Sequence, residues 1–145
     1  MSRIEEYYKD FEKLQEEFHE NMHEYPLFEE MIDEIYEKDI KEINDLLEKN
    51  DEYYLKKAIN KLSSINNYIQ DTSREIDKLY KEYDKNAKIW NNFDPLPVTD
   101  EVLYDMNSRL KKANELINGH SIDELKEANR IMKELIKEAS NLNWK

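Results

Sequence analysis

Residues 4–25 have the sequence IEEYYKDFEKLQEEFHENMHEY, and their apolar side chains recur in alternating steps of three and four residues. This seam consists of Ile4, Tyr7, Phe11, Leu14, Phe18 and Tyr25, and it is interrupted at Asn21. Because an α-helix has about 3.6 residues per turn, the spacing places the set along one side of a helix. The stretch therefore predicts a long amphipathic helix, which Pro26 ends unless it opens the next one.

The same spacing continues through the rest of the chain in five further segments. The second predicted helix runs from about Leu27 to Glu48, and apolar stripes cover residues 55–69, 76–90, 102–117 and 122–142. Their start signals are Asn50 with Asp51, Thr72 with Glu75, Thr99, and Ser121 with Glu124. One Gly and three Pro supply too few turns for a sheet protein, and Gly119 is placed to end the fifth helix in a left-handed conformation. The sequence predicts an all-α fold, a six-helix bundle in a single helical domain over residues 1–145.

The two halves of the chain resemble each other at an offset of 70 residues. Residues 41–69 align with residues 111–139 without a gap. Identical pairs are Lys41/Lys111, Asn44/Asn114, Leu46/Leu116, Leu55/Leu125, Lys56/Lys126 and Ala58/Ala128. One interpretation is a duplication that gives two stacked three-helix pseudo-repeats, 1–70 and 71–145. The other is that any two amphipathic helical hairpins align this well.

Composition excludes several classes of protein. The chain has no Cys, so it has no disulfide framework, thiolate metal site or cysteine nucleophile. A single Gly cannot build a phosphate-binding loop, and no serine-based catalytic arrangement is visible. The net charge of -12 argues against direct binding of nucleic acid or an anionic membrane, and no apolar run is long enough to span one. We therefore expect a cytoplasmic protein with no cofactor. Its abundance of Lys, Asn, Ile, Tyr and Glu is typical of AT-rich bacterial or phage genomes.

The first helix contains one motif that is associated with catalysis. His19-Glu20-Asn21-Met22-His23 resembles the H-E-x-x-H signature of zinc metallopeptidases, in which two His bind zinc and the Glu acts as general base. Glu17 and Glu24 flank the pair with charge, the two His fall opposite the apolar seam, and the sequence shows no strand to hold a substrate. We expect two exposed histidines on a solvated helix. His19 and His23 stay weak metal candidates.

The distribution of charge gives the clearest indication of function. Residues 1–52 hold 19 acidic and 6 basic side chains, net -13, whereas residues 53–145 hold 15 acidic and 16 basic ones, net +1. Ten carboxylates lie between residues 12 and 37, with one Lys among them. We name them the acidic surface: Glu12, Glu16, Glu17, Glu20, Glu24, Glu29, Glu30, Asp33, Glu34 and Glu37. One interpretation is that these residues form a solvated face whose charge keeps the protein soluble. The other is that they form a binding site for a basic protein partner.

These observations support three hypotheses of function. The first is a non-enzymatic acidic binding protein that inhibits a basic protein stoichiometrically, such as a protein that handles nucleic acid. In size, charge and lack of catalytic groups the chain resembles anti-CRISPR, anti-restriction and immunity proteins. The second is a structural or adaptor protein that pairs with other helices through apolar surface. The third, more remote, is a zinc-dependent enzyme using His19, Glu20 and His23.

Overall fold

The computed structural model describes residues 2–142, and every regular element in that range is helical. Helix α1 spans Arg3–Glu24. Helix α2 is one continuous run made of an α-helical segment, Glu29–Glu34, a π-helical segment, Ile35–Ile40, and a second α-helical segment, Lys41–Glu48. Helix α3 spans Glu52–Asn91, α4 spans Asp100–Ile117 and α5 spans Ile122–Ser140. The all-α prediction is confirmed.

Within residues 2–142 there are five helices, and the prediction of six is wrong at one place. The two helices expected on either side of Thr72 form the single 40-residue helix α3. Thr72 lies in its interior, where it is buried together with Ser73, so it does not cap a helix with Glu75. No Gly or Pro occurs between residues 52 and 91, and Thr or Ser in a helix costs only tenths of a kcal/mol relative to Ala. Burial of their neighbours outweighs this cost.

The buried face of α3 keeps one phase along the helix. Its buried side chains at intervals of seven residues are Leu55, Leu62, Ile69, Ile76, Tyr83 and Trp90. Ala58, Ile65, Thr72 and Leu79 fill the intermediate positions of the same stripe. A seven-residue repeat of apolar side chains is the seam of a helix that packs lengthwise against others. The stripe crosses Thr72 without a shift in phase, which is why the helix is continuous.

The π-helical segment of α2 explains an irregular spacing in its apolar stripe. Ile35 and Ile40 are five residues apart, and in an α-helix they would point about 140° away from each other. A π-helical turn bonds residue i to residue i+5 and so contains one residue more than an α-helical turn. It therefore brings Ile40 toward the side of Ile35: Ile35 is buried in the core, and the partly buried Ile40 packs against that core.

The chain divides into two compact units, Met1–Arg74 and Glu75–Lys145. In the first unit, α1, α2 and the N-terminal part of α3 enclose a core of eight side chains: Phe11, Phe18, Ile35, Ile43, Ala58, Leu62, Ile65 and Ile69. Asn66 Nδ2 donates to the Leu14 carbonyl at 3.2 Å, and Gln70 Nε2 donates to Asn21 Oδ1 at 3.0 Å. These polar contacts fix α1 against α3.

In the second unit, the C-terminal part of α3 lies with α4 and α5. The fully buried side chains of α4 and α5 are Met106, Ala113, Leu125, Ala128, Met132, Leu135 and Ala139. Asn129 Nδ2 donates to the Leu79 carbonyl at 3.1 Å, and the Tyr83 hydroxyl donates to Asn114 Oδ1. Each unit thus combines three helical segments, while the internal repeat itself stays a prediction.

The expected caps of α4 and α5 are confirmed. The Thr99 hydroxyl accepts from the Val102 amide at 3.3 Å, and the Ser121 hydroxyl accepts from the Glu124 amide at 3.2 Å. Gly119 does not adopt the left-handed conformation that the sequence suggested. A side chain is excluded there because a Cβ would lie 2.9 Å from the Leu116 carbonyl oxygen and closer still to the Glu124 carboxylate. Asn50, between α2 and α3, is left-handed instead, with φ of 45°.

We predict that deletion of Glu37 leaves the fold intact. The deletion places Ile35 and Ile40 four residues apart, so an ordinary α-helical turn keeps both on the core side and the π-helical turn is no longer needed. The free energy of unfolding, measured by urea denaturation, should change by about 1 kcal/mol or less.

The matched control is deletion of Lys13, which is also exposed but lies in the regular helix α1. It rotates Phe11 by about 100° relative to Phe18 and removes one of them from the core, at a cost of about 3 kcal/mol or more. Equal losses of unfolding free energy in the two deletion variants would show that the π-helical turn contains no extra residue that the fold can lose.

Candidate functional site

All ten carboxylates of the acidic surface are exposed, as the sequence predicted. On α1 the buried side chains are Phe11, Phe18 and Asn21. At about 100° per residue, Glu16 and Glu20 point to the side of the helix opposite these three residues. The structure therefore places the acidic surface on the solvent side of α1 and α2 in the first unit.

Little of this negative charge is compensated within the described part of the chain. Glu34 forms an ion pair with Lys38, at 3.3 Å, and that pair is largely exposed. Among residues 2–142, the other nine carboxylates of the acidic surface have no cationic side chain within 4.0 Å. Like charges four residues apart, such as Glu16 and Glu20, weaken a helix by tenths of a kcal/mol per pair. Glu29 and Glu30 lie in the first turn of α2, where negative charge is favourable, but the rest of the acidic surface adds little stability to the helices that carry it.

In the second unit, several cationic side chains form ion pairs with carboxylates. Arg109 pairs with Asp105 at 3.1 Å and with Glu138, and Arg130 pairs with Glu134 at 2.6 Å and with Glu127. Lys126 contacts Glu75 at 3.3 Å, and Lys133 contacts Glu82. These four cations thus each contact a carboxylate of the same unit, whereas the acidic surface of the first unit has a single such pair within the described residues.

A groove opens beside the acidic surface, between the π-helical turn of α2 and the facing side of α3. Its volume is about 370 Å³, and its lining residues are Met31, Glu34, Ile35, Asp39, Lys61, Ser64, Ile65 and Tyr68. Ile35 and Ile65 are buried and form its floor, whereas the Tyr68 ring is 47% exposed. Glu34 belongs both to the acidic surface and to the groove. The two features are therefore contiguous.

Lys61 holds one wall of the groove in place. Its ammonium lies 2.8 Å from a Glu42 carboxylate oxygen and 3.5 Å from an Asp39 one, which ties α3 to α2. The hydrogen bond to Glu42 raises the pKa of Lys61 above its usual value of 10.5, and the charge of Asp39 acts in the same direction. Lys61 is thus a cation at neutral pH, and its charge is already shared by two carboxylates.

The structure places both His19 and His23 on the exposed side of α1. The His19 ring contacts the edge of Phe18, with ring centroids 5.7 Å apart. Among the described residues, no group of three or more His, Cys, Asp and Glu side chains is arranged to hold a metal ion. The pair therefore has no third protein ligand from residues 2–142.

Two further observations bear on the class of protein. Within residues 2–142, none of the helices is long and apolar enough to cross a membrane. No protein family model, no curated protein sequence and no solved structure matches the chain.

Sequence reasoning located the acidic surface but missed the groove. The signal for it is the five-residue step from Ile35 to Ile40, since it breaks the helical period and marks the π-helical turn. Single π-helical turns in α-helices are often found at functional sites. On α3, Ser64 and Tyr68 line the groove, and no pattern in the sequence marks either residue.

We predict that Lys61→Met lowers the free energy of unfolding at pH 7 by about 0.5–1 kcal/mol, because it removes the cation and keeps the aliphatic stem. A raised pKa in the folded state means that the charge stabilises the fold at all pH below 10.5, and that this contribution is lost as the pH rises through the raised pKa. The difference in unfolding free energy between Lys61→Met and the unmodified chain, measured by urea denaturation, should be smaller at strongly alkaline pH than at neutral pH. Lys85→Met, on the exposed side of α3, is the control because Lys85 forms no ion pair within residues 2–142. An undiminished difference for Lys61→Met at alkaline pH would assign the effect to packing.

Proposed function

We propose that this chain is a non-enzymatic binding protein that inhibits a basic protein by stoichiometric contact through its acidic surface. The observation that carries the proposal is the group of ten exposed carboxylates, of which Glu34 alone has a cation within 4.0 Å in the described residues. Like-charge pairs within this group, such as Glu16 and Glu20, cost helix stability, and the exposed charge of the group is available to a partner. Complementary charge speeds association and makes it sensitive to salt.

The chemistry of the partner follows from the sign and density of the charge. Proteins that handle nucleic acid present clusters of Lys and Arg that bind phosphates along a backbone. A row of carboxylates on a helix surface offers such a cluster an alternative set of anions. The proposal therefore places the protein with inhibitors of the anti-CRISPR, anti-restriction or immunity-protein type, which act by occupying a basic site.

The test of this proposal is a triple charge reversal, Glu16→Lys with Glu20→Lys and Glu30→Lys. The matched control reverses three exposed carboxylates of the second unit, Asp84, Asp94 and Glu115, and changes the net charge by the same amount. The immobilised unmodified chain should capture a basic protein from lysate of its native cell at about 50 mM salt and release it at about 500 mM.

We expect the control variant to capture the same protein and the Glu16/Glu20/Glu30 variant to lose it. The reversed variant should be about as stable as the unmodified chain, because the pairs at Glu20/Glu24 and Glu30/Glu34 become attractive while the pair at Glu16/Glu20 stays one of like charge. Titration of the captured protein's nucleic-acid binding should then reach complete inhibition at one equivalent of chain. Capture that is equal for both variants, or inhibition that never saturates, would contradict the proposal.

A second candidate function is supported by a separate observation. At the start of α4, Val102 is 43% exposed, Leu103 37% and Tyr104 77%, so three consecutive large side chains face solvent. Successive helix residues point about 100° apart, so these side chains surround the start of α4, where each is available for contact with another protein. Their exposure favours an adaptor that pairs with other helices through the second unit.

If the adaptor function holds, Tyr104→Ser should release a partner that stays bound at about 500 mM salt, because apolar contacts are not screened. The exposed side chain leaves no cavity, so thermal unfolding should be unchanged. Tyr53→Ser, at another exposed tyrosine, is the control. A partner that salt removes and that Tyr104→Ser does not affect would exclude this candidate.

A further inference from the structure

The groove beside the π-helical turn combines an apolar floor with an acidic rim. Ile35 and Ile65 are 2% and 6% exposed and lie at its base, while Met31 is half-buried at its side. Glu34 and Asp39 stand at the rim, and the exposed Tyr68 ring completes the lining. A volume of about 370 Å³ is at the lower end of the range for ligand pockets and accommodates one or two side chains.

The charged groups of the groove are not equally available to a partner. Lys61 and Asp39 are 3.5 Å apart, and Lys61 is also in contact with Glu42, so these three groups compensate one another. Glu34 contacts only the flexible Lys38 among the described cations, and the side chains of that pair are 60% and 74% exposed. An exposed pair of this kind contributes little stability, so an incoming cation can displace Lys38.

We propose that this groove receives an arginine side chain of the basic partner, an inference that rests on the proposed function and deepens it. The aliphatic stem of the arginine lies along Met31, Ile35 and Ile65, where it replaces water. Its guanidinium bonds the Glu34 carboxylate through two parallel N–H groups and stacks against the Tyr68 ring.

Other side chains fit the groove less well. A purely apolar side chain would cover the floor but leave the Glu34 carboxylate partly desolvated without a partner. Lysine has the stem and the charge, but its ammonium cannot form the bidentate pair and stacks poorly on an aromatic ring. The groove thus distinguishes arginine from lysine, which the acidic surface as a whole does not do.

The experiment uses the full chain and two synthetic peptides of 12 residues that are identical except that one carries three Arg and the other three Lys. Binding is followed by NMR through the methyl group of Met31, the amide of Ser64 and the ring of Tyr68. We expect the Arg peptide to shift these signals and to bind about fivefold more tightly than the Lys peptide.

A variant that fills the groove supplies the control for position. Ser64 is exposed, and its hydroxyl donates to the Asn60 carbonyl one turn earlier; Ser140 is also exposed and donates in the same way to the Ile136 carbonyl. Ser64→Trp should reduce the affinity for the Arg peptide to that for the Lys peptide, whereas Ser140→Trp should change neither. Tyr68→Phe should keep the preference, and Tyr68→Ala should reduce it about threefold.

Equal affinities for the two peptides, or shifts confined to α1 and unaffected by Ser64→Trp, would overturn the arginine site. That result would leave the proposed function standing if the Glu16/Glu20/Glu30 reversal still abolishes capture of the partner. Conversely, an Arg preference that depends on the groove, together with capture that survives the reversal, would retain the site and reject the acidic surface as the main contact.

Discussion

Both compact units depend on the apolar stripe of α3. Leu62, Ile65 and Ile69 belong to the core of the first unit, and Ile76, Tyr83 and Trp90 are buried positions of the second. Removing any of these large side chains from water contributes about 1.5–3 kcal/mol, which far exceeds the propensity cost of the Thr and Ser at the middle of the helix. Lengthwise packing on this stripe therefore decides where every other helix lies within its own unit.

Among residues 2–142, the π-helical turn of α2 is the one place where the regular helical period is broken. It brings Ile40 to the side of Ile35, and the backbone around it borders the groove. The same local irregularity thus satisfies packing and shapes a concave surface. The groove combines a buried apolar floor, the Glu34 carboxylate and the exposed Tyr68 ring, and the outer side of α1 does not offer this combination.

The two units differ in how their charged side chains are paired. In the second unit, cations and carboxylates pair across and along the helices, as with Arg109 and Arg130, and such networks add modestly to stability. In the first unit, carboxylates of the acidic surface such as Glu16 and Glu20 repel each other, and Glu34 alone has a cation within 4.0 Å among residues 2–142. Repulsion of this kind is unfavourable for folding, and the first unit tolerates it because all of these carboxylates are exposed to solvent, where their charges are screened.

The sequence by itself determined the helical class, the caps at Thr99 and Ser121, and the exposure of the acidic surface, because each depends on local spacing and on side-chain chemistry. It also contained the seven-residue phase through Thr72, although Thr72 with Glu75 gives an equally good local start signal. Only burial against the other helices decided between a cap and a continuous helix. The groove likewise arose only in three dimensions, because α2 and α3 contribute residues some thirty positions apart that no local pattern connects.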